Sequence, residues 1–280
     1  MRYRVGPGSF RAGAGGEIST DWRRHHRLDP PARGHRIGRQ PAIDEPFDLS
    51  GDLSGDLSGD LSGPSFGPLS GEEPAKLVIL LHGVGADGND LIGLAPHFAR
   101  VLPDAGFLSP HAPYPYDMAP EGRQWFSLAE RSPARTLAGI RATAPILSGF
   151  IDRELERRGL VDGDLALIGF SQGAMMALYV ALRRADACAA LIAYSGALAG
   201  RESLAEEIRA HPPVLLVHGA ADEVVPAASH PRAVAALEAC GVKVSAHIRP
   251  GLGHGIDEEG IRLGTEFLAS AFAEGEGGSG

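Results

Sequence analysis

Five residues, Gly169-Phe170-Ser171-Gln172-Gly173, carry the most informative spacing in the chain. They match G-x-S-x-G, a pattern that can set a serine hydroxyl at the tip of a sharp strand-to-helix turn as a nucleophile. The flanks suit that use. Leu165-Ala166-Leu167-Ile168 is the apolar run of a strand buried on both faces, and Ala174-Met175-Met176-Ala177-Leu178 is a good helix former. Glycines on either side of the serine leave no Cβ to clash in so tight a turn. At the helix N-terminus the backbone N–H groups are unpaired and the partial charge is positive, which favours a developing oxyanion. The competing reading is a turn serine that only caps the helix, and the strand and helix flanks weigh against it.

A serine hydroxyl is a poor nucleophile until an imidazole takes its proton, and the imidazole needs an acid to orient it. In an α/β-hydrolase arrangement these partners follow in the order Ser, Asp, His, each just past a strand end. The run 213–218 ends in His218, and Asp222 follows it shortly; the run 243–248 leads into Arg249-Pro250-Gly251-Leu252-Gly253-His254. Ser171, Asp222 and His254 therefore fit by order and position. Asp222 alone would read as a turn residue. His254 sits among glycines with no apolar face, which is not how a core histidine looks. His218 reads as buried and hydrogen-bonded at its strand end, His82 and His111 precede the serine, His247 lies within a strand and His97 in a helical pattern. No His, Cys, Asp or Glu cluster has metal-ligand spacing, so neither a metal nor a cofactor is expected. One rival motif, Gly83-Val84-Gly85-Ala86-Asp87-Gly88, matches G-x-G-x-x-G after a strand. Asp104 stands before the next strand rather than at its end, and no Walker lysine is present, so a nucleotide site is the weaker reading. Small residues in this loop better suit a backbone N–H that reaches the serine's oxyanion.

Strands and helices alternate through the rest of the chain. Strands are expected at 76–81, 106–109, 165–170, 189–194, 213–218 and 242–248. Helices are expected at 91–102 (capped by Asn89 or Asp90), 132–159, 172–184, 229–240 and 258–272. Pro145 implies a kink or break, and 111–131 reads as a long loop. The alternation predicts an α/β fold with a mostly parallel central sheet, helices on both faces and ligands near the strand C-terminal ends.

The first 70 residues are different material. Arginines at 2, 4, 11, 23, 24, 27, 33, 36 and 39 appear without hydrophobic periodicity, and Asp-Leu-Ser-Gly then repeats four times through Gly63. One leucine in four residues cannot build a core. The repeat aspartates match no calcium-loop spacing. The expected organisation is a disordered extension at 1–70, a folded domain at 71–274 and a flexible tail at 275–280. The 280 residues are enough for one large domain or two small ones, and the net charge of −9 argues against nucleic-acid binding. No apolar run approaches a membrane span, so no membrane insertion is expected. Cys188 and Cys240 look like small core residues, consistent with a reducing, cytoplasmic setting.

Further blocks carry a resemblance. Leu80–Leu94 (LLHGVGADGNDLIGL), Pro110-His111-Ala112-Pro113, Gly122-Arg123-Gln124-Trp125-Phe126, Gly169–Leu178 (GFSQGAMMAL) and the Asp222 and His254 blocks together resemble the phospholipase/carboxylesterase family, which includes the acyl-protein thioesterases. The likeness spans about residues 75–272. It implies a minimal α/β-hydrolase fold with no large cap domain, and a small acyl ester or thioester as substrate. It also implies oxyanion donors in the backbone of Val84 and Gln172, and an acyl pocket lined by the loop carrying Trp125. Related folds often pair, which leaves a homodimer open. Two other functions stay open at this point: hydrolysis of another acyl bond, such as a lactone or peptide, and non-catalytic binding on the same fold.

Overall fold

The computed structural model describes residues 61–277 together with Ile18–Ser19. Its centre is a seven-stranded sheet. In chain order the strands are β2 (Ser65–Phe66), β3 (Lys76–Leu81), β4 (Ala105–Leu108), β7 (Leu165–Phe170), β8 (Ala190–Tyr194), β9 (Val214–Gly219) and β10 (Val244–Arg249). In space they run β10-β9-β8-β7-β3-β4-β2, all parallel except β2, which pairs antiparallel with β4 at the edge. The chain steps from β3 outward to β4, then returns to place β7 on the other side of β3. That reversal is a topological switch point, where open parallel sheets leave a crevice at their carboxyl ends.

The apolar runs are strands because both of their faces are covered. In β3, Leu77, Ile79 and Leu81 join the core on one face, and Val78 and Leu80 join the core on the other. The first face is covered by α3 (Pro133–Arg158), α4 (Gln172–Ala181) and α6 (Ser229–Ala239), the second by α2 (Ala95–Phe98) and α7 (Glu258–Gly277). Two two-stranded sheets flank this body. One pairs β5 (Tyr114–Tyr116) with β6 (Ala119–Gln124), and the other pairs β1 (Ile18–Ser19) with β11 (Gly255–Ile256). A short helix, α5 (Leu204–Glu207), lies between β8 and β9. Among the described residues no segment builds a cap domain over the strand ends.

Several expectations need correction. Residues 61–70, expected in the extension, are part of the described structure. Leu61, from the last Asp-Leu-Ser-Gly unit, is buried in the core, the Ser62 and Pro64 carbonyls accept from His111 and Ser109 N–H, and β2 extends the sheet. The rest of the expected extension, apart from Ile18–Ser19, lies outside the described residues, as do residues 278–280 of the tail. α7 continues to Gly277 rather than stopping at 272. Pro145 does not break α3: it sits on the exposed side, so the Arg141 carbonyl that loses its partner faces water. The segment 111–131 holds the β5–β6 hairpin, whose prolines and mixed polarity concealed the strand pattern.

The short helix α1 (Gly88–Leu91) is capped by Asp87, whose carboxylate accepts from Asn89 N–H at 2.8 Å. Asp90, one of the two expected caps, turns inward instead. It is 8% exposed and its Oδ2 has no hydrogen-bond partner in the structure. Burial, aided by the charge of Asp87, pushes this carboxyl up to about 8. The folded protein then keeps a proton that the unfolded chain releases above pH 4, so stability falls as pH rises from about 4 to about 8. Asp90→Asn, neutral at every pH, should match the wild type near pH 4. By pH 8 it should exceed it by on the order of 5 kcal/mol, read from urea unfolding at both pH values.

Candidate active site

Ser171 stands between β7 and α4 with φ 52°, a backbone conformation that side chains rarely adopt. Such a residue costs on the order of 1–3 kcal/mol and persists only where its surroundings hold it. Here they do. Ser171 N–H donates to the Tyr194 carbonyl, and helix α4 begins at once with Gln172. The helix start lies so close to β3 that a Cβ on Gly173 would stand 2.0 Å from the Leu81 carbonyl oxygen. Only glycine fits there. The same contact brings the end of β3 beside the serine: a Cβ on Gly83 would lie 3.4 Å from Ser171 Cβ.

Asp222 and His254 come from the loops after β9 and β10. These loops are tied together by Ala220 N–H to the Arg249 carbonyl and Ala221 N–H to the Leu252 carbonyl, both at 2.9 Å. His254 Nδ1 lies 2.8 Å from Asp222 Oδ2, and His254 Nε2 lies 2.9 Å from Ser171 Oγ. A carboxylate only accepts, so Nδ1 carries the hydrogen. Neutral imidazole then has a bare Nε2, which accepts the Ser171 hydroxyl proton. The ring packs against Phe170, with centroids 4.9 Å apart.

Asp222 is held as an anion. Its Oδ1 accepts from Val224 and Val225 N–H, both at 2.9 Å, and its Oδ2 also receives His218 Nε2 at 3.2 Å. Burial alone would raise its pKa. The hydrogen bonds from His218 and His254, with the backbone donor at Val225, outweigh burial and keep the carboxyl well below the usual range. His218 is buried at its strand end, and its Nε2–H is shared between Asp222 and the Val225 carbonyl, which lies at 2.9 Å. The sequence showed it as a hydrogen-bonded core residue. That its partner is Asp222 depends on the turn between them, which no local pattern reveals.

The loop after β3 borders the same place. His82 is fully buried. Its Nε2 accepts from Ala112 N–H at 2.9 Å, so Nδ1 carries the hydrogen and donates to the Gly83 carbonyl at 2.8 Å. Val84 is half-buried, and the neighbouring amides are committed: Gly85 N–H to the Arg123 carbonyl and Ala86 N–H to Gly83. Gly88 N–H donates to His111 Nδ1. Amides that a phosphate would need in the G-x-G-x-x-G reading are thus already used. Gln172 N–H lies at the first position of α4, where no intrahelical acceptor exists.

Trp125 differs from its expected place. It is 0% exposed and gives its indole N–H to the His82 carbonyl at 2.9 Å, so its ring presents no surface to an open cleft. The Gln172 side chain, which sequence reading passed over, is buried as well, with both ends of its amide bound to the 125–126 backbone. Among the described residues no group of three His, Cys, Asp or Glu side chains could hold a metal ion. No helix among them is long and apolar enough to cross a membrane. Cys188 is buried and its thiol is pushed up to about 12, so it is no nucleophile.

Comparisons with known proteins bear on this geometry. A model of the phospholipase/carboxylesterase family matches residues 69–271. Esterase YpfH of Escherichia coli is 32% identical over 200 residues, covering 71% of this chain and 84% of its own. Acyl-protein thioesterase 1 of Gibberella zeae is 24% identical over 208 residues, covering 68% of this chain and 88% of its own. Among solved structures, esterase PE8 superposes with a TM-score of 0.73 at 40% identity, over 76% of this chain and 99% of that one. Acyl-protein thioesterase 2 of Zea mays superposes with a TM-score of 0.61 at 26% identity, over 75% and 99%.

Burial pushes His82 down to about 4, so the folded protein excludes a proton that the unfolded chain binds below pH 6.5. Its contribution to stability is complete above pH 6.5 and is lost as pH falls toward 4. His82→Gln carries no such proton. Its unfolding free energy relative to wild type should therefore rise by on the order of 3 kcal/mol between pH 7 and pH 4. A constant difference across that range would contradict the neutral, buried imidazole.

Proposed function

Since this chain belongs to the phospholipase/carboxylesterase family, and is thereby a carboxylic ester hydrolase, we propose that Ser171, Asp222 and His254 are its catalytic triad. The single observation that supports this assignment most is the unbroken hydrogen-bonded line from Asp222 Oδ2 through both nitrogens of His254 to Ser171 Oγ.

In this reading Ser171 Oγ attacks the carbonyl carbon of an acyl ester or thioester as its proton passes to His254 Nε2. Asp222 keeps the ring oriented and stabilises the imidazolium. The carbonyl oxygen becomes an oxyanion, which takes hydrogen bonds from Val84 and Gln172 N–H, each worth ~3 kcal/mol if comparable donors are a guide. His254 then protonates the leaving oxygen or sulfur. Water, deprotonated by the same imidazole, attacks the acyl-enzyme, releases the acid and restores Ser171. No metal or cofactor enters any step. The two unpaired cysteines support a reducing, cytoplasmic setting for this chemistry.

The wild type should hydrolyse p-nitrophenyl acetate and butyrate, and Ser171→Ala should lose about three or more orders of magnitude in kcat, because triad members act as a unit. Equal rates in the two proteins would reject the assignment. Asp222 is held as an anion and His82 as a neutral ring, so neither adds an ionisation to that of the one general base. The logarithm of kcat/KM should therefore fall with unit slope as pH drops. A slope of two would reveal a second ionising group in the machinery.

A further inference from the structure

The two proposed oxyanion donors, Val84 and Gln172, lie on separate elements, the loop after β3 and the start of α4. One run of buried hydrogen bonds connects them. Gln172 Oε1 accepts from Trp125 N–H at 2.7 Å, and Gln172 Nε2 donates to the Phe126 carbonyl at 2.7 Å. Trp125 Nε1–H then donates to the His82 carbonyl at 2.9 Å. His82 Nδ1–H in turn donates to the carbonyl of Gly83, the residue before Val84. Thr143 Oγ1, on α3, anchors the middle of this run by donating to the Trp125 carbonyl at 2.7 Å. Gln172, Trp125, His82 and Thr143 are each at most 2% exposed.

We infer that the Gln172 side chain, the Trp125 indole and the His82 imidazole are positioning residues that fix the spacing between the two oxyanion donors. This rests on the proposed roles of Val84 and Gln172. None of the three side chains faces substrate, and each acts through backbone. The residue types follow from the geometry. Position 172 must accept and donate at the end of a long side chain, which the glutamine amide does. Position 125 needs an N–H carried on a ring large enough to reach from just past β6 to the end of β3. Position 82 must accept at one nitrogen and donate at the other, which requires the neutral ring. Burial keeps it neutral. A donor aimed at an oxyanion loses most of its benefit when displaced by a fraction of an ångström, so slack in this brace should show in the transition state.

The test uses Gln172→Met, which keeps length and the backbone N–H but removes both amide bonds, and Trp125→Phe, which removes the indole N–H. Both are measured on the full chain with p-nitrophenyl butyrate and with a butyl trifluoromethyl ketone. Ser171 Oγ adds to that ketone's carbonyl, its proton passing to His254, to give a stable oxyanion. In each variant kcat should fall about ten- to a hundredfold with KM within about twofold. Affinity for the ketone should weaken by the same factor, while the shape of the kcat/KM pH profile stays fixed. Should Gln172→Met fail to fold, Trp125→Phe decides alone. Folded variants with unchanged kcat and ketone affinity would overturn the brace, as would a rise in KM alone, which marks substrate contact. Activity retained in Ser171→Ala would instead sink the reading beneath it, so the two failures are distinguishable.

Discussion

Everything in the site follows from one close crossing. The first turn of α4 passes over the end of β3 so tightly that the Leu81 carbonyl occupies the space where a side chain on Gly173 would be. This crossing holds the turn at Ser171 in its strained conformation, and it sets the loop after β3 against the serine. A Cβ added at Gly173 would push helix and strand apart. It would separate the hydroxyl from His254 and the Gln172 N–H from the loop at Val84 in one movement. The sheet topology makes the crossing available, because β3 and β7 are neighbours across the point where the strand order reverses.

Around this crossing the protein handles buried polarity in two opposite ways. Asp222 is kept charged by surrounding it with donors: two backbone amides and two imidazoles. His82 is kept uncharged by giving it one acceptor and one donor and no counter-charge in hydrogen-bond contact. Removing either pattern would leave a buried polar group unpaired, at about 1–3 kcal/mol or more. Asp90 is the exception, a buried carboxyl with an unpaired oxygen, and it is tolerated by holding its proton.

The sheet was legible because strands covered on both faces must be apolar without interruption, and 77–81, 165–168 and 214–217 are. The three side chains that meet were legible from chain order and from their place just beyond strand ends. What stayed hidden has a common cause: it depends on contacts between distant segments. The β5–β6 hairpin carries Pro115, which breaks the local pattern but is accommodated in a two-stranded ribbon. Leu61 looks like a repeat residue until the core buries it. Trp125 looks like a pocket residue until its indole N–H is seen to reach His82. The Gln172 amide could be read from no periodicity, because both its partners lie on a loop more than 40 residues earlier in the chain.

In the proposed mechanism the Ser171 hydroxyl forms a covalent bond to the acyl group. Rapid acid quenching of a p-nitrophenyl butyrate reaction, followed by peptide mass mapping, tests it directly. One butyryl group is expected on the peptide carrying Ser171, and none in Ser171→Ala. Butyryl on another residue, or turnover of the ester with no acylated peptide at any quench time, would contradict it.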